Sequence, residues 1–335
     1  MMNFNKLNGK NIFVTGSDGF IGSHLVESLV SHGANVKALV YYNSWNENGW
    51  LKDLDHEILD NINILKGDIR DSERILDGVK GCEYVFHLSS LIAIPYSYDA
   101  PRSYLETNIS GALNVLEACK RNDSLTRLVH VSTSEVYGSA QSVPISEDHP
   151  LVGQSPYSAS KISADKLAES YYLSFKLPVV TARPFNTYGP RQTARAVIPT
   201  IISQILTKKK EIKLGSLSPT RDFNYVSDTV NGMSLLALSE EAEGNAVNIG
   251  SGKEWSIKET FDLICKITNS SVDVITDEDR IRPSKSEVNR LIACNKKIKK
   301  FTNWSDEVAF EQGLQKTIEW IGNNLDKFNT TEYTK

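Results

Sequence analysis

Apolar runs of strand length alternate with amphipathic stretches through the first half of the chain. Residues 11–15 predict a strand, 21–31 a helix and 36–41 a second strand, and further strands are expected over 62–66, 84–87, 128–132 and 179–183. Helical spacing recurs over 72–79, 104–120 and 157–175. Strand, helix, strand repetition is the signature of right-handed βαβ units, so the expected fold class is α/β, a Rossmann-type doubly wound parallel sheet. After Pro184 the rhythm loosens into turns such as Asn186-Thr187-Tyr188-Gly189-Pro190, with helices over 197–207 and 227–238. The organisation expected is a dinucleotide-binding domain over 1–183 and a smaller C-terminal substrate-binding lobe over 184–330, the chain returning to the main sheet near 246–249.

The first strand runs directly into Gly16-Ser17-Asp18-Gly19-Phe20-Ile21-Gly22, and a helix follows. In that context Gly16 permits the tight turn, Gly19 lets backbone approach a phosphate, and Gly22 allows close helix–strand packing. The helix start, with Phe20 and Ile21, offers free N–H groups and a positive dipole end to a pyrophosphate. An acid about twenty residues further on would hold the ribose of NAD, and an arginine there would suit NADP. The second strand instead ends Leu39-Val40-Tyr41-Tyr42-Asn43-Ser44. NAD and NADP both stay open, and the lack of a cation for a 2′-phosphate favours NAD. Asp68, beside Ile69, either meets the adenine edge or caps the helix that begins at Ser72. Ser89 and Ser90 either border the nicotinamide or end the fourth strand.

Tyr157 and Lys161 lie four apart on a predicted helix and share a face, so the ammonium is expected to lower the phenol pKa and ready Tyr157 as a base. The 335 residues are 40% apolar and 23% charged, enough for a large core. A net charge of -4 provides no cationic field for nucleic acid. Four dispersed cysteines and six unclustered histidines argue against disulfides and metal, and no apolar run suits a membrane span, so a cytoplasmic location is expected.

With these parts assembled, the segments VTGSDGFIGSHL, GDIRD, TNISGALNVLEAC, VSTSEVYG, PYSASKISAD, RPFNTYGPRQ and RDFNYVSD resemble, in order, the extended short-chain dehydrogenase/reductase family. The resemblance implies a tightly bound nicotinamide dinucleotide, a nucleotide-sugar substrate and a homodimer. Thr133-Ser134-Glu135 resembles the nucleotide-sugar 4,6-dehydratases, and segments 183–199 and 282–288 are similar to those acting on GDP- or UDP-linked N-acetylglucosamine in legionaminic acid biosynthesis. The roles implied are Tyr157 as base steadied by Lys161, Thr133 holding the sugar 4-hydroxyl, Glu135 removing the C5 proton and passing it to the leaving oxygen, and Ser134 relaying or orienting. Asn186, Arg191, Arg221, Arg282 and Glu287 match positions that meet sugar or diphosphate, where arginine suits paired charge-assisted bonds. The competing readings are a UDP-glucuronate decarboxylase, whose usual acidic residues after the tyrosine are absent here, an NDP-sugar 4-epimerase, and a dinucleotide-binding scaffold or redox sensor without turnover.

Overall fold

The computed structural model describes residues 4–280, 283 and 286–328. One parallel sheet is built from β1 (Asn11–Thr15), β2 (Asn35–Tyr41), β3 (Ile62–Gly67), β4 (Tyr84–His87), β5 (Arg127–Val131), β6 (Val179–Pro184) and a seventh strand, Ala246–Ile249. The order is β3-β2-β1-β4-β5-β6, with Ala246–Ile249 outside β6. Connections leave β1 in opposite directions across the sheet, which opens a crevice at the carboxyl ends of β1 and β4. Register places Thr15, the last residue of β1, between Leu39 and His87.

Continuous apolar strands follow from burial on both faces. Ile12 and Val14 pack with Leu25 and Val26 of α1 (Phe20–Ser31) and with Met233 of the Val226–Leu238 helix. Phe13 turns the other way, onto Ile75 and Leu116. The Pro156–Phe175 helix starts where sequence chemistry starts it: Ser155 accepts from the Ser158 N–H, Ser158 returns the bond, and Pro156 fills the first turn.

The helix expected over 104–120 is not one regular α-helix. Pro101–Tyr104 passes through a π-helical turn, Leu105–Ser110, before Gly111–Lys120 resumes α geometry. The widened turn accommodates Asn108, whose amide bonds the Leu91 backbone at 2.8 and 3.0 Å and Ser160 Oγ at 2.9 Å. Thr107 on the same turn reaches the crevice.

Beyond β6 the strands are short and paired over long sequence distances. Asn186–Tyr188 lies beside Phe223–Tyr225, Thr220–Arg221 sits between Trp255–Ser256 and Arg290–Leu291, and Glu211–Leu214 pairs with Asp273–Thr276. Tyr188, Phe223 and Phe310 form an aromatic cluster under this lobe. Among the described residues no helix is long and apolar enough to cross a membrane, and no group of His, Cys, Asp or Glu could hold a metal ion.

Candidate active site

The crevice opens into a cleft of about 1250 Å³ running from the glycine turn to the small lobe. At its floor the glycines are required sterically. Gly16 has φ of 68°, and a Cβ on it would stand 2.8 Å from the Ser89 amide nitrogen; a Cβ on Gly22 would stand 2.0 Å from the Gly16 carbonyl oxygen. Gly19 caps α1 without a side chain, leaving the first-turn N–H groups facing the cleft beside Phe20 and Ile21. This cradle fits a dinucleotide pyrophosphate. Ser89 lines the cleft, its N–H held by Thr15 Oγ1 at 3.1 Å.

Asp68 and Ile69 also line the wall. Asp68 does not cap the helix at Ser72, because Asp71 accepts from the Arg74 N–H there. Instead the Arg70 guanidinium grips Asp68 at 2.6 to 3.1 Å and holds its carboxyl below the usual range.

Thr133, Glu135, Tyr157 and Lys161 converge on one wall. Thr133 ends the strand region after β5, and its Oγ1 accepts from the Glu135 N–H at 3.2 Å, fixing a tight turn over Ser134–Tyr137. The Tyr157 hydroxyl is hydrogen-bonded to Thr133. Lys161, one helical turn on, donates to the Val131 carbonyl at 2.8 Å and to Ser90 Oγ at 3.0 Å. Burial lowers the Lys161 pKa to about 8, against the pull of the Asp165 charge. The expectation that the lysine brings the phenol pKa down needs correction. Burial raises the Tyr157 phenol well above its ordinary value, the Thr133 bond opposes this, and the nearby Glu135 charge adds to it.

Ser134, next to Glu135 in sequence, is 3% exposed and is not among the described residues lining the cleft. The tight turn aims it inward while presenting its neighbours. Behind Lys161 lies a buried network the sequence reading missed: Asp165 bonds His130 Nε2 at 3.3 Å and receives Arg183 Nε and Nη2 at 3.1 and 3.0 Å. Its one sequence signal is that Asp165 stands four residues after Lys161, on a helix facing the sheet.

On the substrate side, Asn186 lines the cleft with a buried Oδ1 that has no hydrogen-bond partner among the described residues. Arg221 and Glu287 line it together, Nη2 to Oε1 3.5 Å. Arg191 is a correction. Its backbone takes φ of 67°, which sends the guanidinium away from the cleft to Glu27 at 2.7 Å and Ser23 at 3.4 Å on α1. Arg282 lies outside the described residues.

Comparison with known proteins agrees with this geometry. The family model described as GDP-mannose 4,6 dehydratase matches residues 13–317. The human dTDP-D-glucose 4,6-dehydratase is 30% identical over 96% of this chain and 93% of its own length. The chain spans about half, 47%, of a trifunctional UDP-glucose 4,6-dehydratase/3,5-epimerase/reductase of Arabidopsis thaliana, also at 30% identity over 94% of this chain. Among solved structures, a dTDP-glucose 4,6-dehydratase variant from Streptomyces venezuelae with bound NAD superposes with a TM-score of 0.83 at 28% identity, covering 95% of this chain and 98% of that one. A UDP-glucuronic acid 4-epimerase variant from Bacillus cereus, holding NAD and a fluorinated UDP-glucuronic acid, gives 0.86 at 27% identity over 94% and 99%. From the parallel sheet, the glycine cradle and the matched span together, the chain belongs to the GDP-mannose 4,6-dehydratase family, among the extended short-chain dehydrogenases/reductases whose members are nucleotide-sugar dehydratases and epimerases.

Proposed function

We propose that this chain is a nucleotide-sugar 4,6-dehydratase that keeps NAD tightly bound and converts GDP- or UDP-linked N-acetylglucosamine to the 4-keto-6-deoxy sugar. The observation that carries the reading is the placement of a carboxylate, Glu135, on the same cleft wall as Thr133, Tyr157 and Lys161. Gly16, Gly19, Phe20, Ile21, Gly22 and Ser89 would hold the dinucleotide, with Asp68 and Ile69 on its adenosine side. When bound, its nicotinamide supplies a two-electron acceptor that takes hydride from C4 and gives it back at C6.

Thr133 orients the sugar 4-hydroxyl toward Tyr157, which takes its proton. A buried phenolate needs positive charge beside it, and at pKa about 8 the Lys161 amine is protonated in about nine of ten molecules at pH 7. The resulting 4-ketone acidifies C5–H. Glu135 removes that proton and hands it to the C6 oxygen, which leaves as water; a proton then returns to C5 as hydride reaches C6, balanced by the one Tyr157 took from the 4-hydroxyl and releases. Asn186 and the Arg221–Glu287 pair hold the sugar and diphosphate; Ser134 has no part, since it is turned inward. The dinucleotide ends in its starting oxidation state, which is why tight retention suits the reaction.

The reading divides the chain into 1–183 for dinucleotide and 184–330 for substrate, with 246–249 joining the first sheet. It also includes a cytoplasmic homodimer. Exposed Leu113, Leu173 and Phe175 on the Gly111–Lys120 and Pro156–Phe175 helices favour pairing of those helices across a twofold axis.

Epimerisation at C4 is the second reading, favoured by the likeness to the Bacillus cereus 4-epimerase. It uses the tyrosine but gives Glu135 no task. The test is Glu135→Gln, which is expected to retain dinucleotide and substrate binding and to lose elimination. Formation of the 4-keto-6-deoxy product at the wild-type rate would remove Glu135 from the mechanism.

A further inference from the structure

We propose that Asp18, on the glycine turn, selects the dinucleotide: its carboxylate meets the adenosine ribose hydroxyls and bars a 2′-phosphate, so the chain takes NAD in preference to NADP. The inference rests on the dinucleotide reading above and adds to it the residue that decides between the two cofactors. The end of β2 offers neither acid nor arginine, yet the fold delivers a carboxylate to that point from the other side. Asp18 Oδ2 accepts from the N–H of Tyr41, the last residue of β2, at 3.2 Å, and Asp18, Leu39 and Tyr41 line the cleft together.

The carboxylate is held in place by its backbone. The Asp18 carbonyl accepts from the Trp50 N–H at 3.0 Å, and Gly49, with φ of 55°, packs so closely that a Cβ on it would stand 2.4 Å from that oxygen. Cations near this end of the cleft are committed elsewhere. Arg70 is engaged by Asp68 and lies 3.7 Å from Glu106, while Lys66 donates to the Glu47 carbonyl at 2.8 Å and to the Asn48 side chain. The Lys66 charge reaches Asp18 and opposes the effect of burial on its carboxyl, but the Lys66 ammonium makes its hydrogen bonds to Glu47 and Asn48. A carboxylate in that position accepts ribose hydroxyls and opposes a dianionic phosphate, so selection works by repulsion as well as attraction.

The test is calorimetric titration of NAD and of NADP into folded protein freed of nucleotide, wild type and Asp18→Asn, at pH 8 so that the carboxyl, which burial raises, is ionised. The wild type is expected to bind NAD at least about tenfold more tightly than NADP, and Asp18→Asn to bring the two within about threefold by losing NAD affinity and gaining NADP affinity. The wild-type ratio stands as evidence whether or not the variant folds. Equal wild-type affinities, or an unchanged ratio in a folded Asp18→Asn protein, would overturn the assignment of Asp18 and leave the dehydratase reading intact. Failure of the wild type to bind either dinucleotide would overturn both.

Discussion

Replacing Lys161 with methionine removes a buried ammonium, and its burial sets the sign of the pH dependence of the effect on stability. Lys161 is 3% exposed, and burial pulls its pKa from 10.5 to about 8. That lowering corresponds to about 3 kcal/mol of destabilisation by the charged form in the folded protein. The sign follows from linkage. Below pH 8 the lysine is charged in both folded and unfolded chains and the whole penalty applies. As pH rises from 8 toward 10.5 the folded protein sheds the proton first, and the penalty fades. Against this, the variant loses bonds to the Val131 carbonyl and Ser90 Oγ, each worth about 1 to 2 kcal/mol. Lys161→Met is therefore expected to be inactive and within about 1 kcal/mol of the wild type near pH 7. In urea unfolding at fixed dinucleotide concentration, the difference should move by about 1 kcal/mol in favour of the wild type between pH 7 and pH 9. A stability difference that is flat across that range would refute the assignment of a strongly depressed, buried lysine.

Two further substitutions test the cradle and the corrected substrate side. Gly22→Ala places a methyl 2.0 Å from the Gly16 carbonyl, so it should cost about 1 to 3 kcal/mol in unfolding experiments and abolish dinucleotide binding by calorimetry. Arg191→Ala breaks the bridge to Glu27 and should lower stability by about 1 kcal/mol while leaving the sugar-nucleotide KM within about twofold. A tenfold rise in that KM would return Arg191 to the substrate site.

The sheet was legible because its central strands are buried on both faces, which forces short apolar runs, and because the glycine turn marks the first junction. The small lobe was not. Its strands are two to four residues long, and Thr220–Arg221 owes its place to Arg290–Leu291, far along the chain. Local spacing placed Tyr157 and Lys161 on one helical face, and the family resemblance singled out Thr133 and Glu135. It failed for neighbours whose direction depends on backbone twist: Ser134 turns inward beside Glu135, and the positive φ of Arg191 sends its side chain to α1. Asp165, His130 and Arg183 come from a helix and two strands, so no window of sequence displays them together. Asp18 was in plain view on the glycine turn, but its proximity to Tyr41 exists only once β1 and β2 are paired.

The central claim is that Glu135 turns a C4 oxidation into loss of water, and product mass tests it most directly. Incubating the protein with UDP- and with GDP-linked N-acetylglucosamine and reading the product by mass spectrometry should show a sugar nucleotide lighter than the substrate by one water. A product of unchanged mass and inverted C4 configuration would contradict the account and make the chain an epimerase.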